Sequence, residues 1–380
     1  MNQKNENKSQ DAVSLVDGYL SGAVEAGASD VHFEPTESGL VIKYRLDGVL
    51  KNIDKLPKVL SDNVISRLKV LGNLLTYRND IPQEGRIEVN HNQNVLDERL
   101  AIFPTIHGQR AVVRIFYQHK NLIELEQLGF AKSIFDSLIK IAFKNQGILL
   151  LTGPAGSGKS TTLAALLRYI LKNFPGKSIV SLEDPVEIRI DGVTQVQITP
   201  YGEMTFPTAL RSLLRQDPQV LMIGEIRDAE TAKIAIEAAL TGHFLMSTMH
   251  SSTPAAGFLR LLEMGIEPYQ ITSSVTAILN QRLVRRLCSK CKKKISDLSF
   301  EAVGCESCLK TGYKGRALIS EIVELDSSLR KAIALRHDLE QLEAILNEKG
   351  HINMLTDGRK LVEQGITSAD EVNRVCGIIE

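Results

Sequence analysis

What the chain lacks narrows its class. It carries no excess of either charge, because Lys plus Arg and Asp plus Glu each number 45 among its 380 residues. A balanced charge gives no sign of a protein that coats nucleic acid, so we expect no direct nucleic-acid partner. Nor does the chain contain an uninterrupted apolar run of about 18 residues, the length that a membrane-spanning helix needs. We therefore expect no membrane span and a cytoplasmic location.

Signal-peptide features and cysteines are also scarce. Residues 1–10 are polar and of mixed charge, without the apolar core of a signal peptide, so we predict a disordered tail there. Five cysteines are too few for a disulfide scaffold in a chain of this length, and in a reducing compartment paired CxxC units indicate metal before disulfide. The hydrophobic share of 43% is that of an ordinary globular protein, and the length predicts two or three domains.

Hydrophobic periodicity divides the chain into two kinds of structure. Residues 11–117 switch between helical and strand periods, which predicts a small α+β domain, and residues 118–133 look like a linker. From 134 to 380, short apolar runs alternate with helical stretches. This alternation predicts an α/β domain in which a parallel sheet is covered on both faces. Its four apolar runs are 148–151, 178–182, 220–223 and 244–248.

A glycine-rich segment after the first of these runs has the spacing of a Walker A phosphate loop. Glycines let backbone N–H groups turn toward an anion, and the helix predicted over Thr161–Leu171 adds its positive end. Lys159 would contact the β- and γ-phosphates of ATP, and Ser160 would ligate Mg²⁺. The alternative is a glycine-rich turn that arises by chance. The predicted nucleotide-binding residues are Gly153, Pro154, Ala155, Gly156, Ser157, Gly158, Lys159, Ser160 and Thr161.

Three polar residues near the ends of later apolar runs are candidates for the chemistry. Glu183 would align a water for attack on the γ-phosphate, since sites in open α/β sheets lie at the carboxyl ends of strands. The alternative is a solvated acidic turn. Glu225 is a Walker B candidate that would hold Mg²⁺ through water. His250 follows the fourth run, where a hydrogen-bonded structural histidine is the alternative.

Together these segments resemble the secretion ATPase superfamily, the motors of type II secretion, type IV pilus assembly and retraction, and competence pseudopili. Residues 153–160 resemble its Walker A, 181–187 its Asp box, 220–228 its Walker B and 241–250 its His box. The resemblance implies an ATP hydrolase with a RecA-like core. It also implies that Glu183 activates the water and that Glu225 lies on the Mg²⁺ side.

The first domain resembles the same family. Residues 27–34, 44–48, 81–86 and 108–114 are similar to four of its segments, with Glu84 in place of an aspartate in the third. In the family this is a PAS-like domain that swings over the nucleotide.

Arginines are the candidates for balancing charge on the γ-phosphate oxygens, which phosphoryl transfer requires. Arg211 and Arg215 are four residues apart, which predicts one helix face for both. The alternative for each arginine is a surface ion pair. The candidates in the first domain are Arg86, Arg99, Arg110 and Arg114.

Four of the cysteines form the pattern CxxC–x13–CxxC. They are Cys288, Cys291, Cys305 and Cys308. Four thiolates at this spacing fit a tetrahedral zinc site with a structural role, since no coordination position stays open. Free thiols and disulfides are the alternatives. The resemblance implies a tetracysteine metal module over residues 285–316, which assembly and secretion members carry and retraction members generally lack. Helices over residues 326–380 would then cap the core.

The resemblance implies a homo-hexamer that uses ATP, Mg²⁺ and Zn²⁺ and associates with the cytoplasmic face of the inner membrane through a platform protein. It would power assembly of a type IV pilus, a type II secretion pseudopilus or a competence pseudopilus. The family's opening segment begins near residue 28, so we expect the extra N-terminal domain of longer members to be absent. A retraction motor, or a nucleotide-dependent scaffold or switch without turnover, is the alternative.

Overall fold

In a computed structural model the chain divides into two compact units, residues 1–121 and 122–380. The structure describes residues 2–87, 95–117, 124–199, 202, 204–296 and 299–377, with side chains from residue 12 onward and, after the first gap, from Asp97. Within those ranges no helix is both long enough and apolar enough to cross a bilayer.

The first unit is a six-stranded antiparallel sheet with two helices packed on one face. The helices are α1 (Asn2–Glu25) and α2 (Lys58–Leu71). The strands are β1 (Asp30–Thr36), β2 (Gly39–Leu46), β3 (Val49–Pro57), β4 (Gln83–Ile87), β5 (Val95–Thr105) and β6 (Gly108–Tyr117). Their order is β3-β2-β1-β6-β5-β4. Alternate residues such as Val31, Phe33 and Val113 join the apolar core with the helices, which leaves the other face of the sheet polar.

Helix α1 begins earlier than the sequence predicts. Residues 2–10 are helical in the structure, whereas the pattern predicts a disordered tail over 1–10. These residues include neither glycine nor proline, the two residues that most disfavour a helix, and extending an existing helix is easier than starting one. Met1 lies outside the described residues.

The second unit is built on a seven-stranded mixed sheet. Its strands are β7 (Gly147–Thr152), β8 (Ile179–Glu183), β9 (Thr194–Gln197), β10 (Val220–Ile223), β11 (Phe244–Met249), β12 (Val275–Leu287) and β15 (Tyr313–Glu324). Their order is β15-β12-β7-β11-β10-β8-β9. All neighbours are parallel except β12 and β15. The α/β class is confirmed, but the predicted all-parallel sheet is wrong at this edge, because β15 returns antiparallel to β12.

Helices cover both faces of this sheet. They are α3 (Lys132–Ala142), α4 (Lys159–Asn173), α5 (Phe206–Leu213), α6 (Ala229–Leu240), α7 (Pro254–Glu263), α8 (Pro268–Ser274), α9 (Ser327–Ala334), α10 (Leu339–Glu348), α11 (Met354–Glu363) and α12 (Ala369–Cys376). Successive residues of β7 alternate between two cores: Ile148 and Leu150 lie in one, Leu149 and Leu151 in the other. Burial on both faces explains why these strands are continuous apolar runs.

Two segments of the second unit lie outside its seven-stranded sheet: the connection between β12 and β15, and the segment before α3. The segment between β12 and β15 holds a small hairpin, β13 (Lys293–Ser296) and β14 (Ser299–Glu301). Before α3, residues 118–123 of the predicted linker lie outside the described residues. The rest of that linker contains a 3-10 helix at Leu125–Gln127 and the start of α3.

Candidate nucleotide site and metal site

The candidate nucleotide site lies where four neighbouring strands end. In the sheet β7, β11, β10 and β8 are adjacent and parallel, so their carboxyl ends meet at one edge. Gly153 follows β7, His250 follows β11, Glu225 comes two residues after β10, and Glu183 is the last residue of β8. The register pairs Ile223 with Leu182, so the two glutamates leave the sheet side by side.

The segment after β7 forms a tight loop that ends at the first residue of α4. Gly153, Gly156 and Gly158 have φ angles of 135°, 74° and 90°, the region that residues with a Cβ rarely adopt. Gly158 is the N-cap of α4, so the amino end of this helix opens onto the loop. Ser160 is exposed in its first turn. Loop amides, a helix N-terminus and an exposed hydroxyl together suit a phosphate with its Mg²⁺.

The Lys159 side chain lies folded back on the loop. Its Nζ donates to the carbonyl oxygens of Gly153 at 2.8 Å and Pro154 at 3.0 Å. Burial lowers the pKa of Lys159, and the nearby carboxylates of Glu225 and Glu187 oppose that effect. The ammonium group is thus held beside the loop by neutral carbonyl oxygens, which are weak acceptors. A charged phosphate oxygen would be a stronger acceptor and could take their place.

Glu183 is held rigidly in a buried position. Its Oε1 accepts hydrogen bonds from Ser181 Oγ at 2.6 Å and from Gln195 Nε2 at 3.0 Å. Gln195 lies on β9 and also donates to the carbonyl oxygen of Ile188. Sequence reasoning missed Gln195, since a glutamine on a short edge strand carries no motif. The arrangement makes Glu183 an oriented carboxylate rather than a solvated acidic turn.

Glu225 lies between two basic groups. Its Oε1 is 3.0 Å from His250 Nε2, and its Oε2 is 2.6 Å from Arg227 Nε. The carboxylate itself is largely buried, whereas the histidine and arginine side chains are exposed. A cavity of about 370 Å³ lies beside this group and is lined in part by Met249 and Arg260. His250 therefore lies against the candidate Walker B carboxylate, and there is room for water next to both.

The arginines predicted to share a helix face do not do so. Helix α5 ends at Leu213, so Arg211 lies in its last turn and Arg215 in the turn that follows. Arg211 pairs with Glu230 on α6 at 2.7 Å, and Arg215 contacts Ser212 at 3.4 Å. The spacing argument assumed a longer helix than the chain forms before its Asp217-Pro218 turn.

In the first unit, arginines form a row across the polar face of the sheet. Directly opposite residues in the register are Arg45 and Asp30, Asp30 and Arg114, Arg114 and Arg99, and Arg99 and Arg86. Opposite residues in an antiparallel pair share a face. Arg114 Nε is 3.0 Å from the buried Asp30 carboxylate. Although burial raises the pKa of Asp30, its hydrogen bond from Arg114 contributes to holding that pKa below its usual value.

The remaining arginines of this face also contact carboxylates. Arg86 and Arg99 both contact Asp97, at 2.5 Å and 3.4 Å. Arg110 Nη2 lies 3.1 Å from both Glu34 Oε1 and His32 Nδ1. Each of the four predicted arginines of the first unit thus takes part in an ion pair within that unit, and the four lie on one face of its sheet.

The four predicted metal ligands form a single cluster. Their sulfur atoms all lie within 4.8 Å of one another. Cys288 and Cys305 are 3.9 Å apart, and Cys291 and Cys308 are 3.8 Å apart. A tetrahedral ion with Zn–S bonds of roughly 2.3 Å needs sulfurs about 3.8 Å apart. All four are free cysteines in the structure.

Local backbone geometry prepares this cluster for thiolates. Cys308 Sγ accepts N–H groups from Cys305 at 3.2 Å and Gly312 at 3.3 Å. Although burial raises the pKa of Cys308, these donors lower it to about 6, while burial and the adjacent thiols raise the pKa of Cys291 to about 12. Four neighbouring thiols cannot all ionise without a cation. Lys292, which follows the first cysteine pair, donates to the Gly365 carbonyl oxygen.

Comparison with known proteins gives one consistent family. A family model described as "Type II/IV secretion system protein" matches residues 5–374. The type II secretion system ATPase E of Vibrio cholerae is 40% identical over 384 residues, which cover 96% of this chain and 75% of that protein. The type IV pilus assembly ATPase PilB of Thermus thermophilus is 40% identical over 379 residues, which cover 95% of this chain and 42% of that protein. The chain therefore spans less than half of the Thermus protein.

Solved structures agree at the level of the fold. The ATPase DotB of Yersinia pseudotuberculosis has a TM-score of 0.71 and 22% identity, and covers 96% of this chain and 93% of its own. The pilus retraction motor PilT with bound ADP has a TM-score of 0.62 and 22% identity, and covers 96% of each chain. With the family model matching nearly the whole chain and relatives reaching 40% identity, this chain belongs to the Type II/IV secretion system protein family.

Proposed function

We propose that the chain is an ATP hydrolase that powers assembly in a type IV pilus, type II secretion or competence pseudopilus system. One observation carries the proposal: four adjacent strand ends bring the phosphate loop, His250, Glu225 and Glu183 to one edge of the sheet. Glycine-rich amides for phosphate, a lysine and two carboxylates are the groups that phosphoryl transfer to water needs. The relatives named for type II secretion and type IV pilus assembly support the choice of system.

Within this site the residues divide the work by position. The loop amides, Lys159 and the start of α4 would bind the triphosphate, and Ser160 would ligate Mg²⁺. Glu225, with His250 Nε2 3.0 Å from its carboxylate, would hold water on the Mg²⁺ side. Glu183 would orient the attacking water, because its fixed Oε1 leaves the carboxylate with little freedom to turn.

The arginines would balance the charge that develops on the γ-phosphate oxygens. We assign this role to the row in the first unit, Arg86, Arg99 and Arg114 with Arg110, and to Arg211 and Arg215. The carboxylates now paired with Arg86, Arg110, Arg114 and Arg211 would release them when a phosphate offers stronger charge. An arginine can act in trans, which fits a homo-hexamer in which this PAS-like unit of one subunit serves a neighbour.

We also propose that the cysteine cluster holds a structural Zn²⁺. Sulfur spacings near those of a tetrahedral site and two N–H···S contacts support it. The metal would hold the β12–β15 connection together and take no part in the chemistry. In this proposal the hexamer acts at the cytoplasmic face of the inner membrane on a platform protein.

The proposal is tested by phosphate release from MgATP. The wild-type chain should hydrolyse ATP, and Lys159→Ala should lose at least about a hundredfold in kcat/KM, because a charged phosphate contact is removed. Lys172→Ala, an exposed lysine at the opposite end of α4, is the matched control and should behave as wild type. Tight ATP binding by a wild-type chain that never turns over would replace the motor with a nucleotide-dependent switch.

A further inference from the structure

The phosphate loop lies against a buried glutamine that the proposed chemistry does not use. Gln281 lies on β12, beside β7, and is fully buried. Its Nε2 donates a hydrogen bond of 2.9 Å to the carbonyl oxygen of Ser157 in the loop. The preceding residue, Asn280, pairs in register with Thr152, the last residue of β7. Gln281 therefore lies directly behind the loop.

Two glycines of the loop are also in close contact with Gln281. A Cβ at Gly153 would lie 2.4 Å from the Gln281 carbonyl oxygen, and one at Gly158 would lie 3.3 Å from Gln281 Nε2. The first distance is too short for any side chain. Glycine at 153 is thus required by this contact as well as by its φ angle, and the loop is packed against the glutamine along its length.

The hydrogen bond fixes the direction of a whole peptide group. The Ser157–Gly158 peptide is planar and trans, so its C=O and N–H point in opposite directions. Because Gln281 holds the carbonyl oxygen, the N–H of Gly158 points away from β12. Gly158 has a φ of 90° and no Cβ, so its own backbone preferences do not select this orientation of the peptide over the reversed one. A reversed peptide would point a carbonyl oxygen, rather than an N–H, at the bound phosphate.

We propose that Gln281 is a positioning residue for the nucleotide: it holds the Ser157 carbonyl back so that the Gly158 N–H faces the phosphates. The inference rests on the proposed function, since it requires the loop to bind a nucleotide. The effect belongs to binding, because the chemistry is done by groups on other strands. A substitution should therefore raise KM for MgATP and leave kcat nearly unchanged.

Two variants of Gln281 test this in the full-length chain. Gln281→Met keeps the length of the side chain but has no donor, and Gln281→Asn keeps the amide but is one methylene too short to reach Ser157. Each should raise KM for MgATP roughly tenfold, the effect of losing one buried hydrogen bond, with kcat within about twofold of wild type. Ser320→Ala is the control. Ser320 is paired with Gln281 in register and buried, and its hydroxyl has no partner among the described residues.

The outcomes separate the inference from the function on which it rests. If the wild-type chain hydrolyses ATP and a folded Gln281 variant keeps the wild-type KM, the inference is wrong and the function stands. If neither variant folds, Gln281 is a core residue only and the inference is wrong. A fall in kcat at constant KM would also overturn the inference. If the wild-type chain neither binds nor hydrolyses ATP, the proposed function itself fails.

Discussion

At the scale of single residues, the two glutamates of the site differ in what holds them. Glu183 is fixed by neutral donors, Ser181 and Gln195, whereas Glu225 is held by the basic groups of His250 and Arg227. Neutral donors orient a carboxylate without placing a positive charge beside it. One that faces basic groups is suited to a site where a cation competes for it.

This difference leads to a prediction for Glu183→Gln and Glu225→Gln. Each should lower kcat for ATP hydrolysis about a hundredfold or more, since an amide neither accepts a proton nor replaces a charged ligand. ATP binding should survive in Glu183→Gln, because that residue acts on water. Phosphate release and equilibrium binding of a fluorescent ATP analogue measure the two effects.

Glu348→Gln is the matched control for these substitutions, since Glu348 is exposed at the end of α10. It should retain wild-type turnover. Full turnover in both site variants would show that the assignment of Glu183 and Glu225 is wrong.

Some site residues could not be found from the sequence at all. Gln195 and Gln281 act through side-chain hydrogen bonds, to Glu183 and to Ser157, that form only once neighbouring strands have been brought together. The phosphate loop is different, because its glycines and Lys159 act locally and so leave a contiguous pattern. The residues proposed to contact the nucleotide therefore leave a pattern in the sequence, and the residues that orient them do not.

At the scale of elements, the apolar runs predicted β7, β8, β10 and β11, and the structure contains strands at all four. Strand β12 was missed. Its pattern is interrupted by Asn280, Gln281 and Arg285, each of which donates a side-chain hydrogen bond to a partner that is close only in the folded chain. The same limit applies to α5, whose end depends on the turn that follows it.

The docking of α12 on β12 depends on one buried carboxylate. Glu371 receives hydrogen bonds from the Arg285 guanidinium at 2.7 Å and the Arg285 backbone N–H at 3.0 Å. Arg374 donates to both carboxylate oxygens. Although burial raises the pKa of Glu371, these donors hold it below the usual glutamate value. The ion pair of Glu371 and Arg285 connects α12, the last described helix, to β12, the strand that carries Gln281.

We predict that Glu371→Gln destabilises the second unit by roughly 3 kcal/mol, because Arg285 loses its buried counter-charge. The lowered pKa also predicts acid sensitivity. The stabilisation is complete above the unfolded-state pKa of about 4.3 and is lost as pH falls through the lower folded-state pKa. Urea unfolding from pH 7 to pH 3 measures both effects.

Glu363→Gln is the control for the Glu371 substitution, since Glu363 is exposed at the end of α11. It should unfold as the wild type does. A Glu371→Gln variant with wild-type stability at every pH would show that Glu371 does not hold α12 on β12.

The metal module gives a second prediction at this scale. Purified protein should contain one zinc per chain by elemental analysis, and Cys305→Ser should lose most of it, since one of four thiolates is removed. Cys376→Ser is the matched control, because Cys376 lies on α12 outside the cluster. Zinc-free wild-type protein of full stability would contradict a structural metal.

At the scale of the whole molecule, the chain joins a polar-faced antiparallel unit to an α/β unit with a nucleotide site. The family and the α/β fold could be predicted because the motifs of the second unit are contiguous. The family model, which matches residues 5–374, confirms the family. The proposed hexamer depends on contacts between several chains. It is therefore tested by a measurement on the assembled protein.

The most direct test of the central claim is the rate of phosphate release per chain as chain concentration rises. For wild type we predict turnover that climbs steeply with concentration and then levels off, because in the proposed hexamer arginines from a neighbouring chain would complete each site. Lys159→Ala should show no turnover at any concentration. A wild-type chain that binds MgATP but releases no phosphate across the whole range would contradict the account.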